Sequence, residues 1–171
     1  MKPKRNYTKH KHIAAVVTAV VLAALFQTAD GLLPRFFGGA ALLLIPAVVC
    51  LAMFESEFSA IFYGLLAGLL WDTAMLHNNW HAIFLCVLGL AVSALIRRKM
   101  RNILAAALVL TSFALIGYLI VHWLFSARNL TALTNFVFPS FVYTLLFTPV
   151  FYWLFREIEN KWRSRTAISI Q

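Results

Sequence analysis

The sequence predicts an all-α integral membrane protein, a single bundle of six transmembrane helices. Three observations carry that expectation. Hydrophobic residues fill 62% of the 171 positions and charged residues 12%, whereas a water-soluble domain carries about 25% charge. Six apolar runs follow one another, each near the ~17–25 helical residues that a bilayer core of ~30 Å requires. The basic residues lie between those runs and cluster at alternate ends.

The runs are justified in order. Ile13–Ala29 follows a basic stretch over residues 1–12 and has the outline of a secretory signal. Its length, the lack of an Ala-x-Ala site before Asp30 and the five further runs argue for retention in the membrane. Pro34–Phe54 starts on a proline suited to a first turn and carries Pro46 at its middle, where a kink is expected. Glu55-Ser56-Glu57 comes next, with carboxylates that favour the positive end of a third helix, Phe58–Leu76. Trp80–Ile96 is one of the shorter spans and implies local bilayer thinning or an interior position. Ile103–Phe125 is uninterrupted. Thr134–Phe155 contains Pro149, a second expected kink, and leads into a basic tail over residues 156–171; Tyr152 and Trp153 at the end of the run and Trp162 in the tail are read as an interfacial belt on the inner side.

Topology follows from charge. Lys2, Lys4, Arg5, Lys9 and Lys11, then Arg97, Arg98, Lys99 and Arg101, then Arg156, Lys161, Arg163 and Arg165 fall on one side of a six-span chain. Arg35 and Arg128 fall on the other, so the positive-inside rule places both termini in the cytoplasm. The net charge of +9 is a topology signal and not a nucleic-acid surface, because no aromatic-basic interleaving accompanies it. Cys50 and Cys86 sit at different depths of separate spans, too far apart for a disulfide.

The third run is the informative one. Gly64, Gly68 and Asp72 recur every four residues on one helix face, smooth at the first two and acidic at the third. A Gly-x-x-x-Gly face admits a close helix neighbour, and an acid inside a span costs ~2.5–3.5 kcal/mol at the bilayer centre, so this face is expected against protein. The neighbour is either another helix of this chain or a partner, and Asp72 alternatively lies at headgroup level. Ala15, Ala19 and Ala23 make a second small-residue stripe on the first helix. His77-Asn78-Asn79-Trp80-His81 is read as a polar external turn. Its two histidines lack an intervening Glu and a third ligand other than Asp72, so no metal is expected, and no cofactor. His122 is read as an interior or interfacial histidine, and His10 and His12 as part of the basic tail. No Ser-His, Cys-His or paired-carboxylate constellation lies in the spans, so an enzyme is not expected.

Leu33-Pro34-Arg35-Phe36, Phe54-Glu55-Ser56-Glu57, Tyr63-Gly64-x-x-x-Gly68-Leu69-Leu70-x-Asp72, the basic stretch after the fourth run and the proline-containing sixth run from Phe138-Pro139 to Phe151-Tyr152 resemble the rod-shape-determining protein MreD family over nearly the whole chain. The chain departs from that pattern after Asp72, where Leu76-His77-Asn78-Asn79-Trp80 replaces a Leu-Gly turn. The resemblance implies a fold like the substrate-binding subunits of energy-coupling-factor transporters. It also implies a non-catalytic scaffold of the elongation complex in the bacterial cytoplasmic membrane, supporting cell shape and lateral peptidoglycan synthesis. The implied partners are an MreC-type protein, a RodA-type glycosyltransferase with its penicillin-binding partner, and membrane lipid. The competing expectation is a vitamin-binding transporter subunit, which would present Ala15, Ala19 and Ala23 to a coupling partner.

Overall fold

The computed structural model describes residues 4–29, 41–75, 80–99, 103–125 and 130–168, with side chains over 10–29, 41–74, 80–96, 103–122 and 139–161. Among the described residues all regular structure is helical. The helices are α1 Lys4–Thr28, α2 Leu44–Phe54, α3 Glu57–Met75, α4 Trp80–Lys99, α5 Leu104–Phe125 and α6 Leu130–Ile168. His10–Thr28 and Leu104–His122 are long and apolar enough to cross a membrane.

Five helices form a ring around the sixth. Contacts run α1 to α3, α3 to α4, α4 to α5, α5 to α6 and α6 back to α1, and α2 touches all five. The sequence accounts for the centre: Leu44 to Met53 is apolar on every side, and all ten of those residues are buried. The ring helices keep one apolar face inward, as α1 does with Val16, Ala19, Val20, Ala23 and Ala24 at helical spacing. They turn a second apolar face outward, with Phe58, Ile83, Phe113, Leu146 and Trp153 each more than half exposed.

Several helix limits differ from the sequence expectation. The second helix was expected from Pro34, but residues 41–43 are not helical and α2 begins at Leu44. Two other helices hold the chain there. Thr144 Oγ1 of α6 accepts the Leu42 N–H at 3.0 Å, and Gln27 Oε1 of α1 accepts the Leu44 N–H at 2.9 Å, so buried amides are satisfied without a preceding turn. Pro46 therefore stands in the first turn of α2, where its missing N–H removes no helical bond, and the expected mid-helix kink has no basis. Pro149, like Pro139, does lie inside α6.

The terminal stretches expected as tails continue helices. α1 starts at Lys4, with no Gly or Pro from there to Thr28. α6 continues 13 residues beyond Phe155, about 20 Å at 1.5 Å per residue. Glu157 and Lys161, 3.5 Å apart at an i,i+4 spacing, support that extension. Tyr152 also differs from its expected place in an aromatic belt: it is 7% exposed and packs its ring 5.6 Å from Phe54, while neighbouring Trp153 faces out. Cys50 and Cys86 are both free thiols.

Candidate functional site: the α3–α4 hairpin and its Asp72–His81 pair

α3 and α4 are antiparallel neighbours and the most intimately packed pair of helices in the fold. Glycine explains the closeness. A Cβ on Gly64 would collide with the Leu85 carbonyl oxygen and lie 3.0 Å from the Leu85 carbonyl carbon. One on Gly68 would collide with Ala82 Cα and lie 2.7 Å from both the Ala82 nitrogen and the His81 oxygen. α4 returns the favour at Gly89, whose Cβ would stand 2.6 Å from the Ala60 oxygen. Ala60, Gly64, Gly68 and Asp72 thus form one four-residue ladder on α3, facing Gly89, Leu85, Ala82 and His81 in reverse order on α4. The Gly64, Gly68 and Asp72 face is occupied by another helix of the same chain.

Asp72 is 4% exposed, buried between α3 and α4. Its Oδ1 lies 2.7 Å from His81 Nδ1, and its Oδ2 accepts the Ala82 N–H at 3.0 Å. An ionised Asp72 accepts this bond from the Nδ1–H tautomer of His81. Ala82 is in the first turn of α4, so Asp72 caps that helix from a neighbouring one and its charge sits at the positive end of the α4 dipole. Hydrogen bonds at both carboxyl oxygens offset part of the cost of burying the group.

Rings close over the pair. His81 stacks on Trp71 at a 4.5 Å centroid distance and meets Trp80 at 3.9 Å. Tyr118 of α5 stacks on Trp71 at 5.5 Å, on Trp80 at 5.4 Å and on His122 at 5.8 Å. α4 and α5 are the least closely packed neighbours in the ring, and these rings span that seam. His81 was expected in an external turn; instead it is 7% exposed, because the first turn of α4 lies against the last turns of α3. Among the described residues no group of three His, Cys, Asp or Glu is placed to hold a metal.

The opposite end of the bundle carries a second polar cluster. His12 Nε2 lies 3.4 Å from Glu55 Oε1 and 3.8 Å from Glu159 Oε2, joining α1, the α2–α3 turn and α6. His12 was read as part of a solvated tail, and its half-buried position follows from the helical continuation of α1. The start of α3 is capped by Ser56, whose Oγ accepts the Ser59 N–H at 3.3 Å, so Glu55 is left to face His12. Burial pushes the Glu55 carboxyl above its ordinary range, with His12 opposing the shift and Glu159 adding to it.

The alanine stripe divides. Ala19 and Ala23 are buried inside the ring and Ala15 is exposed. Pro34, Arg35, Asp30, His77, Asn78, Asn79, Arg101, Arg128 and Asn129, with the side chains of Arg97, Arg98, Lys99, Phe138, Trp162, Arg163, Arg165 and the basic residues of positions 2–9, lie outside the described residues. Sequence reasoning passed over Ala60 and Gly89, which complete the small-residue ladder, and the role of His81. The four-residue spacing of Ala60, Gly64 and Gly68 on α3 is the signal that finds Ala60, whereas Gly89 and His81 emerge only from the pairing of α3 with α4. No protein-family model, curated protein or solved structure matches the chain.

Proposed function

We propose that the chain is a non-catalytic, six-span scaffold of the cell-elongation machinery in the bacterial cytoplasmic membrane, with both termini cytoplasmic. It would hold an MreC-type protein and, through it, a RodA-type glycosyltransferase with its penicillin-binding partner. The observation that carries this reading is the helix 3 motif on which the family resemblance rests. Its glycines and Asp72 are all used to lock α3 to α4, which suits a protein that works by presenting a stiff surface. The bilayer setting is supported by the outward-facing Phe, Leu, Ile and Trp side chains. It is also supported by the satisfied amides of Leu42 and Leu44, since non-helical backbone at membrane depth is tolerated only where protein surrounds it.

Depletion of the protein is expected to round or widen rod-shaped cells, with no solute transported or turned over. Unchanged cell width together with a growth defect cured by an external vitamin would favour the transporter subunit instead. That alternative loses its alanine stripe, since Ala19 and Ala23 face inward. Topology is tested with single cysteines at Asn102 and Asn129 in a chain lacking Cys50 and Cys86. An impermeant thiol reagent applied to intact cells should label position 129 and spare 102, and the reverse pattern overturns the orientation.

A further inference from the structure

Between the end of α2, the start of α5 and the middle of α6 lies a cavity of about 380 Å³, within the ~300–1,000 Å³ range of small-molecule sites. Phe54, Ile103, Leu104 and Tyr152 form an apolar wall, and Arg156, Glu159 and Asn160 a polar rim. Tyr152, Arg156 and Asn160 follow at four-residue spacing, so one face of α6 passes from wall to rim. The wall is open on one side. Ile103 and Leu104 remain exposed, as do Trp153 and Leu154 beside them on α6, and exposed apolar side chains continue along both helices at Val109, Phe113, Leu146 and Val150. A wall that is also part of the outward apolar surface suits an acyl chain.

Charge placement sets the sign of the occupant. Among the described residues the ion pairs at this end join His12 to Glu55 and Glu159, and Glu157 to Lys161. The acid of the rim is thus already engaged, whereas Arg156 takes part in no ion pair. The rim is left with a guanidinium for an anion to answer, and its planar fork matches two oxygens of a phosphate. Basic pockets between helices at the membrane surface hold lipid phosphates in this way.

We propose that the cavity holds a phospholipid by its phosphodiester. The phosphate oxygens sit on the Arg156 guanidinium, Asn160 supplies a neutral donor one turn further on, and the first acyl methylenes lie against Phe54, Ile103, Leu104 and Tyr152. The recognised group is the phosphate and not the alcohol it carries. The inference rests on the six-span reading, which puts Arg156, the residue after Phe155, at headgroup level.

Alkaline carbonate extraction of membranes is done first. Release of the chain overturns the six-span reading and this proposal with it, whereas retention followed by failure of the lipid measurements overturns the lipid site alone. Native mass spectrometry of the delipidated full chain in detergent then follows binding of dioleoylphosphatidylglycerol across a titration. Binding is expected to be about tenfold weaker in Arg156→Gln, a substitution at an exposed position that leaves the packing untouched. Lys161→Gln removes a cation from the same helix away from the cavity and should bind as the parent does. Leu104→Trp, which fills the wall and leaves the charge, should weaken binding. Melting measurements compare the phospholipid with dioleoylglycerol, which has the chains and no phosphate, and with glycerophosphoglycerol, which has the phosphate and no chains. Only the phospholipid should raise the melting temperature. Parent-like binding in Arg156→Gln or Leu104→Trp overturns the proposal, and so does an equal loss in Lys161→Gln, which would mean general charge attraction. Equal protection by dioleoylglycerol or by glycerophosphoglycerol also overturns it, and assigns the cavity to an acyl chain alone or to a free phosphate.

Discussion

At one end of the bundle a carboxylate, Asp72, is 4% exposed and held at 2.7 Å and 3.0 Å by an imidazole and a backbone amide under a roof of stacked rings. At the other, Glu55 keeps 15% of its side-chain surface, meets His12 at 3.4 Å, and shares that histidine with a second acid at 3.8 Å. The difference begins in the backbones. α3 and α4 touch through glycines, so Asp72 and the first turn of α4 are fixed relative to each other and short hydrogen bonds follow. His12, Glu55 and Glu159 reach toward one another from separate elements, and long side chains bridge the intervening space. A rigid junction holds one acid fully satisfied; an adjustable one leaves another under-compensated, which is why burial raises the Glu55 carboxyl out of its ordinary range.

The most severe way to break this contrast is to part the two backbones. Gly68→Leu should abolish accumulation of folded protein in the membrane, because even a Cβ there would collide with Ala82 and nothing but backbone is available to move. Gly68→Ala should already cost about 1–3 kcal/mol. Membrane abundance by immunoblot and melting in detergent read both. Normal abundance of the Leu variant would show that α3 and α4 can separate, and the rigid end would not be rigid.

Next in size is Asp72→Ala, which strands two buried donors, the His81 Nδ1–H and the Ala82 N–H. A loss of about 1–3 kcal/mol is expected. Asp72→Asn should cost less, since one oxygen still caps Ala82 and the amide can donate to the other imidazole tautomer. A double-mutant cycle with His81→Gln sharpens the point: coupling near zero would mean that the two residues are independent and that the ring stack alone organises this end.

The adjustable end should show itself through pH. Glu55 in the fold has a carboxyl raised above its unfolded value of 4.5, so the folded state binds the extra proton. The associated stability is present below 4.5 and is lost as pH rises through the folded value. Melting temperature should therefore fall across that window, and Glu55→Gln should remove this component and melt higher than the parent at neutral pH. Parallel pH profiles for the two proteins would contradict the burial argument.

The smallest effect is expected at Lys161→Gln. Its pair with Glu157 is solvent-exposed, with 71% and 45% of the side-chain surfaces accessible, and such pairs contribute about 0–1 kcal/mol. A larger loss, measured by melting at low salt, would mean that the α6 extension is coupled to the His12 cluster instead of fraying independently.

How far the sequence alone reached depended on whether a feature was periodic. The 62% apolar composition and the successive apolar runs require helices with apolar outer faces, because transfer of apolar surface and satisfaction of backbone polar groups act locally and need no knowledge of the neighbours. The Gly64, Gly68 and Asp72 spacing likewise forces those residues onto one face. What that face meets is not a local property. His81 and Asp72 are partners only because the hairpin between α3 and α4 closes with their terminal turns side by side, and Gly89 matters only because Ala60 stands opposite it. The start of α2 was illegible for the same reason. The apolar pattern continues upstream of Leu44, yet Thr144 and Gln27, distant in sequence, take up the amides there and allow the chain to leave the helix. Periodicity decided which surfaces are apolar and which face each side chain occupies. The centre of the ring, the residues that answer one another's charges and the points at which helices begin were decided by contacts between segments far apart in the chain, whose energies no single stretch of sequence contains.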